Sequence, residues 1–209
     1  ACVRGALSNL KELTLSMTPI GDFGMKALAN ACANGALPLL THLYLDRIHI
    51  SDHGLISFSE ALAMGAMQNL VFLILSGNQI SDPGLISLSK ALARGALANL
   101  EHLYLSSNQI GDTGMVAFVH ALRPTPSNPK GSLRALESLD LFSNQIGDVG
   151  MIEFSRSIPI GSMGALTYLN LSNNLISDVG MISLSEAIGN GSLRALTQLD
   201  LEYNQIGNL

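Results

Sequence analysis

The sequence has few of the residues that form cross-links, metal sites or strongly charged surfaces. Its 209 residues include no tryptophan and two cysteines, and only 13% of them are charged. Hydrophobic residues make up 47%, so the chain can bury a large core and disorder is excluded. No apolar run approaches the roughly 18 residues that cross a bilayer. The formal net charge of −5 disfavours nucleic acid as a partner, because phosphates attract basic surfaces.

What the sequence does contain is a repeat. The pattern LxxLxL recurs every 30 residues, except for one interval of 36 residues between the fourth and fifth copies. Self-similarity at this period indicates a solenoid, and we predict one domain over residues 1–209. The seven repeats begin at Leu10, Leu40, Leu70, Leu100, Leu136, Leu166 and Leu196.

Each repeat combines two hydrophobic periods, as residues 70–99 show. Alternation around Leu73 and Leu75 predicts a strand, and the following NQISDPG predicts a turn. LISLSKALAR then carries leucines at helical spacing. Asp82 is suited to cap this helix and Pro83 to occupy its first position. A repeat is therefore a strand, a turn, a helix and a return loop.

This pattern resembles the leucine-rich repeat family, specifically its ribonuclease-inhibitor-like subclass. The resemblance implies an α/β horseshoe with a concave parallel β-sheet and α-helices on the convex side. It also implies a structural ladder of asparagine side chains that bind backbone groups in the turns. The ladder residues are Asn78, Asn108, Asn144, Asn174 and Asn204.

Two further features concern the limits of the array. Both ends fall inside a repeat and have no polar cap, so we expect the chain to be a segment of a longer array. The extra six residues lie in RPTPSNPKGS, residues 123–132, whose prolines predict a protruding loop. This loop is either a tolerated insertion or a contact for a partner.

The stretch LDRIHISDHG, residues 45–54, has the composition of a metal or acid–base site. Comparison with the other repeats removes this interpretation, because Asp52 belongs to a column of aspartates at the helix starts and is predicted to be a cap. His49 and His53 fall in a turn and on a helix, not on one helical face. Cys2 and Cys32 are one repeat apart on neighbouring helices, too far for a disulfide. We therefore predict no catalytic residues, no metal and no cofactor.

The variable strand positions carry the functional prediction. In the leucine-rich repeat family, which this sequence resembles, these side chains point out of the sheet and meet the ligand. Aromatic and aliphatic side chains gathered there indicate a hot spot, although cross-strand packing is the alternative. The predicted partner-binding residues are His42, Tyr44, Asp46, Arg47, Phe72, Ile74, His102, Tyr104, Asp140, Phe142, Tyr168, Asp200 and Glu202.

Charge on the same positions indicates the kind of partner. All the variable strand positions together hold two basic residues, Lys11 and Arg47, and seven acidic residues, which accounts for the whole net charge of −5. The acidic residues are Glu12, Asp46, Glu101, Glu137, Asp140, Asp200 and Glu202. We therefore expect a protein partner with a basic surface, and neither nucleic acid nor membrane. Solubility of an exposed sheet is the alternative explanation.

These features favour a non-enzymatic protein-binding module. The alternative is a regulator of a small GTPase, similar to the activating proteins of the GTPase Ran, with Arg47 as the first residue to test. A designed array without a partner is a third possibility. Buried thiols and the lack of cysteine-rich caps favour the cytoplasm.

Overall fold

Seven short parallel strands alternate with six helices in the computed structural model, which describes residues 7–124, 131–157 and 163–207. The strands form one sheet in chain order, from β1 to β7. The elements are β1 (Glu12–Thr14), α1 (Gly21–Ala33), β2 (His42–Tyr44), α2 (Asp52–Ala63), β3 (Phe72–Ile74), α3 (Asp82–Ala93), β4 (His102–Tyr104), α4 (Asp112–Leu122), β5 (Ser138–Asp140), α5 (Asp148–Ser157), β6 (Tyr168–Asn170), α6 (Asp178–Gly189) and β7 (Gln198–Asp200).

The leucine triplets place the strands in register. The central leucine of each strand pairs with that of the next, for example Leu43 with Leu73 and Leu73 with Leu103. These three leucines are fully buried, whereas the residues on either side of them in the strands are only half-buried. Side chains alternate across a strand. The leucine face of the sheet therefore packs into the core, and the opposite, concave face stays available to a partner.

The helices cover the leucine face of the sheet. In α2 the residues Leu55, Phe58 and Leu62 recur at helical spacing and are all buried. Methionine fills the same core column in other helices, where Met25 and Met115 have no exposed surface. Neighbouring helices need about 8–10 Å and neighbouring strands about 4.8 Å, so the stack curves with the strands inside. The predicted α/β leucine-rich repeat solenoid is confirmed.

Three observations concern features outside this stack. Cys32 is buried in α1, while Cys2 lies outside the described residues. Most of the inserted loop, residues 125–130, also lies outside them. In the part of the chain that the structure describes, no helix is long and apolar enough to cross a membrane.

Candidate binding surface on the concave sheet

Asparagine side chains join consecutive turns. The Asn78 carboxamide oxygen accepts hydrogen bonds from the backbone N–H groups of Ile48 (3.1 Å) and Ile50 (3.3 Å) in the preceding repeat. Its nitrogen donates to the carbonyls of Leu45 (2.9 Å) and Leu75 (3.0 Å). Every polar atom of this buried side chain thus has a backbone partner. Corresponding bonds are made by Asn108, Asn144, Asn174 and Asn204.

The first junction between repeats is built differently. Ile48 stands in the asparagine column and is fully buried, so it contributes packing but no side-chain hydrogen bond. Thr18 occupies the same column one repeat earlier, and its hydroxyl donates to the Leu15 carbonyl within its own repeat. The asparagine bonds therefore begin at the second junction.

The aspartate column caps helices, but the five aspartates that begin α2 to α5 or lie in α1 accept hydrogen bonds from the helix start of the following repeat rather than from their own. They are Asp22, Asp52, Asp82, Asp112 and Asp148. Asp22 accepts hydrogen bonds from the Ser51 N–H (2.8 Å), the Ser51 hydroxyl (2.6 Å) and the Gly54 N–H (3.0 Å) at the start of α2. The prediction that Asp82 caps its own helix was wrong, because Asp82 is the first residue of α3 and binds the Gly111 N–H (2.7 Å) ahead of α4.

The position of the proline at the start of α3 also differs from the prediction. Pro83 is the second helical residue, after Asp82, and not the first. In α2 the Ser51 hydroxyl accepts from the N–H at this position, which belongs to His53 (3.2 Å). Since proline has no N–H, Ser81 makes no such cap bond. Asp52 still caps α3 from the preceding repeat through Ser81 and Gly84.

Hydrogen bonds lower the pKa of two capping aspartates, Asp22 and Asp148. Burial alone would raise the pKa of Asp22, but the hydrogen bonds from Ser51 and Gly54 outweigh it and lower the pKa below its ordinary value. The pKa of Asp148 is lowered in the same way by Ser177 and Gly180. The hydrogen bonds of the cap therefore favour the ionised form of these two carboxylates.

The histidines of LDRIHISDHG do not form a site. His49 and His53 are both exposed, one in the turn and one on α2. Within the described ranges, no group of three or more His, Cys, Asp or Glu side chains could hold a metal ion.

Five rings on β2, β3 and β4 form a cluster that we call the aromatic platform: His42, Tyr44, Phe72, His102 and Tyr104. Phe72 lies at its centre, with ring centroids 5.7 Å from His42, 5.4 Å from Tyr44, 5.2 Å from His102 and 5.3 Å from Tyr104. All five residues are half-buried. The strand register brings residues 30 positions apart into one surface.

Ile74 extends the platform, since it pairs with Tyr44 on one side and Tyr104 on the other. The imidazoles at the edges differ in their hydrogen bonding. His42 Nδ1 lies 2.9 Å from the Thr41 hydroxyl. Nδ1 of His102 is buried and has no hydrogen-bond partner among the described residues. The platform therefore presents mainly apolar ring surface.

The sheet changes character at β5, where the column of Tyr44 and Tyr104 continues as Asp140, Asn170 and Asp200. We call these three residues and Tyr168 the acidic cluster. Burial raises the pKa of Asp140, and the nearby charge of Asp200 adds to this, against hydrogen bonds from Phe142 and Ser106. Burial and the charges of Asp140 and Asp200 also raise the pKa of Tyr168. Its phenol is neutral at pH 7 and can donate.

Residues beyond the strand ends form a rim. Asp46 accepts a hydrogen bond from the Ser16 hydroxyl. Arg47 is exposed and has a positive φ of 52°, and its aliphatic chain lies over Gly77, where an added Cβ would be 2.7 Å from Arg47 Cγ. Two other predicted partner-binding residues lie beyond the strand ends, where Phe142 is half-buried and Glu202 is exposed.

A shallow depression of about 380 Å³ connects the rim, the platform and the acidic cluster. It runs past Arg47, Ile74 and Tyr104 to Asp140. The hydroxyl oxygens of Ser76 and Ser106 lie 2.8 Å apart on its floor. The sequence prediction omitted both serines and Asn170, because small polar residues on strands carry no signal until the register places them beside Asp140.

Among the described residues, no basic side chain forms an ion pair with the carboxylates of this surface. Over the described ranges, the one ion pair within 4.0 Å joins Arg123 and Glu153 (3.9 Å), away from the concave sheet. Asp140 and Asp200 are therefore not neutralised by any described basic side chain. A surface that combines apolar rings with such carboxylates can bind a partner of complementary charge.

Comparison with known proteins identifies the repeats. A sequence model described as "Leucine Rich repeats (2 copies)" matches residues 68–116. A second, described as "Leucine Rich repeat", matches residues 6–29, 132–155, 166–185 and 192–209. Together the two cover more than half of the chain. No curated protein sequence matches it. Among solved structures, internalin C2 from Listeria monocytogenes is similar at a TM-score of 0.48 and 20% identity, covering 96% of this chain and 84% of that one.

Proposed function

Because the chain is built of leucine-rich repeats, we propose that it is a non-enzymatic recognition module that binds a protein on its concave sheet. The observation that carries the proposal is the aromatic platform beside carboxylates that no described basic side chain neutralises. Exposed aromatic groups are enriched at the energetic centres of protein interfaces. Such a platform in the middle of an open sheet is poorly explained by fold stability alone.

The partner we propose has a basic surface. Asp140 and Asp200 have no basic partner within 4.0 Å among the described residues, and the chain has a net charge of −5. Opposite charge on a partner would accelerate association and select against acidic surfaces. Nucleic acid and anionic membranes fit poorly for the same reason.

We also propose that the repeats belong to the ribonuclease-inhibitor-like subclass. The 30-residue period supports this assignment, and so do outer helices of 10 to 13 residues in the described repeats. The buried thiol of Cys32 supports a reducing compartment, the cytoplasm. A single domain over residues 1–209 is consistent with the continuous core of the described residues.

A capture experiment tests the binding proposal. The immobilised chain is compared with a triple variant, Tyr44→Ala, Phe72→Ala and Tyr104→Ala, and with a control, Glu60→Ala, Lys90→Ala and His120→Ala, whose residues are exposed on α2, α3 and α4. We expect the captured protein to be lost with the concave variant, retained with the control and weakened by salt. Capture that survives the concave substitutions contradicts the proposal.

A regulator of a small GTPase is the second candidate. It is favoured by one observation, that Arg47 is exposed at the rim without an ion pair among the described residues, as an arginine that stabilises transferred phosphate must be. Faster GTP hydrolysis by Ran in the presence of the chain, abolished by Arg47→Ala, would establish it. Unchanged hydrolysis would eliminate it.

A further inference from the structure

We infer that the concave sheet binds an extended basic segment of its partner, with an apolar side chain on the aromatic platform and a Lys or Arg side chain between Tyr104 and Asp140. This inference rests on the proposed protein-binding function and names the chemistry of the partner. It depends on three features of the surface: a half-buried carboxylate without a cation, an aromatic ring beside it, and the distance from both to the centre of the platform.

Asp140 supplies the first feature. It is half-buried, and its Oδ1 accepts a hydrogen bond from the Phe142 N–H (3.0 Å). The Ser106 hydroxyl also hydrogen-bonds this carboxylate. These neutral donors leave the charge itself unbalanced, since no described basic side chain lies within 4.0 Å. Partial burial of an unpaired charge is unfavourable, and a cation brought by a partner would remove that cost.

Tyr104 supplies the second feature. It pairs with Asp140 across β4 and β5, so the ring and the carboxylate lie one strand apart. Tyr104 also lines the depression that leads to Asp140. A Lys or Arg side chain placed there can lie against the ring and reach the carboxylate, combining a cation–π contact with a charge-assisted hydrogen bond.

The acidic cluster provides a second position for a cation. Asp200 lies two strands beyond Asp140, in the same column. Between them is β6, whose Tyr168 is affected by both charges and hydrogen-bonds Asp200. The charge of Asp200 raises the pKa of Asp140, so a cation bound at Asp200 would favour the ionised form of Asp140. A segment with two basic residues therefore fits better than a segment with one.

The spacing of these positions predicts a pattern in the partner. Phe72 on β3 is two strands from Asp140 on β5, and Asp140 is two strands from Asp200 on β7. Each step is about 9–10 Å at ~4.8 Å per strand, which an extended segment in the polyproline II conformation covers in three residues of about 3.1 Å each, with every third side chain on the same face. The predicted motif is an apolar or aromatic residue with basic residues about three and six positions away along the chain.

A peptide selection tests the inference. A phage-displayed library of random linear 12-residue peptides is selected on the folded chain, and the enriched peptides are synthesised for fluorescence anisotropy at low and high salt. Their affinity is then measured for Asp140→Asn, for Tyr104→Ala, and for Glu60→Gln, which makes the same charge change at an exposed position on α2. Circular dichroism and the urea midpoint establish that each variant is folded.

We expect enriched peptides to carry the predicted spacing. Asp140→Asn should weaken them about tenfold or more, as loss of a charge-assisted hydrogen bond would, and Glu60→Gln should leave affinity unchanged. Peptides without basic residues at this spacing, or ones that bind Asp140→Asn equally well, overturn the inference. Failure to enrich any linear peptide overturns it too. If peptides that overturn the inference still need Tyr44, Phe72 and Tyr104 for binding, the proposed function stands. Binding that needs none of these three residues overturns both the inference and the proposed function.

Discussion

The turns and the concave face of this solenoid use polar residues in opposite ways. In the turns, Asn78 bonds four backbone groups and Asp22 bonds three donors, all in its own or an adjacent repeat. On the face, Asp140 lacks a basic partner among the described residues and Nδ1 of His102 has no hydrogen-bond partner there. The turns thus pair their polar groups inside the chain, whereas the face keeps a carboxylate charge and a ring nitrogen that no described residue pairs.

This difference separates structural from functional residues. A side chain whose bonds are completed inside the chain contributes to stability, and its removal leaves buried groups unsatisfied. A side chain without such bonds contributes little to the fold and remains available to a partner. Substitutions in the turns should therefore change stability strongly, and substitutions on the face should change it slightly or in the opposite direction.

The largest effect is expected for Asn108→Ala. It leaves the Ile80 N–H and the carbonyls of Leu75 and Leu105 without their partner, and we expect a loss of about 3 kcal/mol in the free energy of unfolding. Urea unfolding followed by circular dichroism measures it. Asn99→Ala is the matched control, because Asn99 is exposed and makes one bond to Gln68; equal losses in the two variants would contradict the comparison.

Gly84→Ala should cause the next largest loss of stability. An added Cβ would lie 2.6 Å from Asp52 Oδ1, the atom that caps α3. Either the carboxylate moves and loses its bonds or the helix shifts, and we expect a cost of about 2 kcal/mol. Gly189→Ala serves as control, since no atom lies within 4 Å of its added Cβ. A thermal midpoint of Gly84→Ala as high as that of the control would refute the close approach.

Asp148→Asn tests the capping charge through pH. Because hydrogen bonds lower the pKa of folded Asp148 below its ordinary value of 3.8, its stabilisation is complete above that pH and is lost as the pH falls through the lowered pKa. At pH 7 the variant should be less stable by about 1 kcal/mol. The difference should disappear in strong acid; a difference independent of pH would exclude the carboxylate charge as its cause.

Asp140→Asn should have the smallest effect on stability, and it should raise stability rather than lower it. Since burial raises the pKa of Asp140 above 3.8, the ionised form destabilises the fold at pH 7. The variant should be slightly more stable there, by less than about 1 kcal/mol. That advantage should shrink as the pH falls through the raised pKa toward 3.8. A clear loss of stability at pH 7 would show that Asp140 belongs to the structural network.

The repeat made much of this predictable from sequence. Leu43, Leu73 and Leu103 and the buried asparagines stand out because they recur, and recurrence reflects a packing requirement that every repeat shares. The direction of the aspartate bonds did not follow from it. Asp82 lies at the start of α3 and also beside the start of α4, and a sequence column cannot distinguish a bond within a repeat from one between repeats.

What the sequence by itself determined is the solenoid, since one strand and one helix per repeat can bury their leucines only by stacking on the next repeat. It also determined which residues vary on the strands. Only the tertiary structure decided how those residues combine. Register placed Phe72 among four rings and Asp140 beside Tyr104. Burial and hydrogen bonding, which depend on neighbours about 30 residues away, then set the charge and availability of each group.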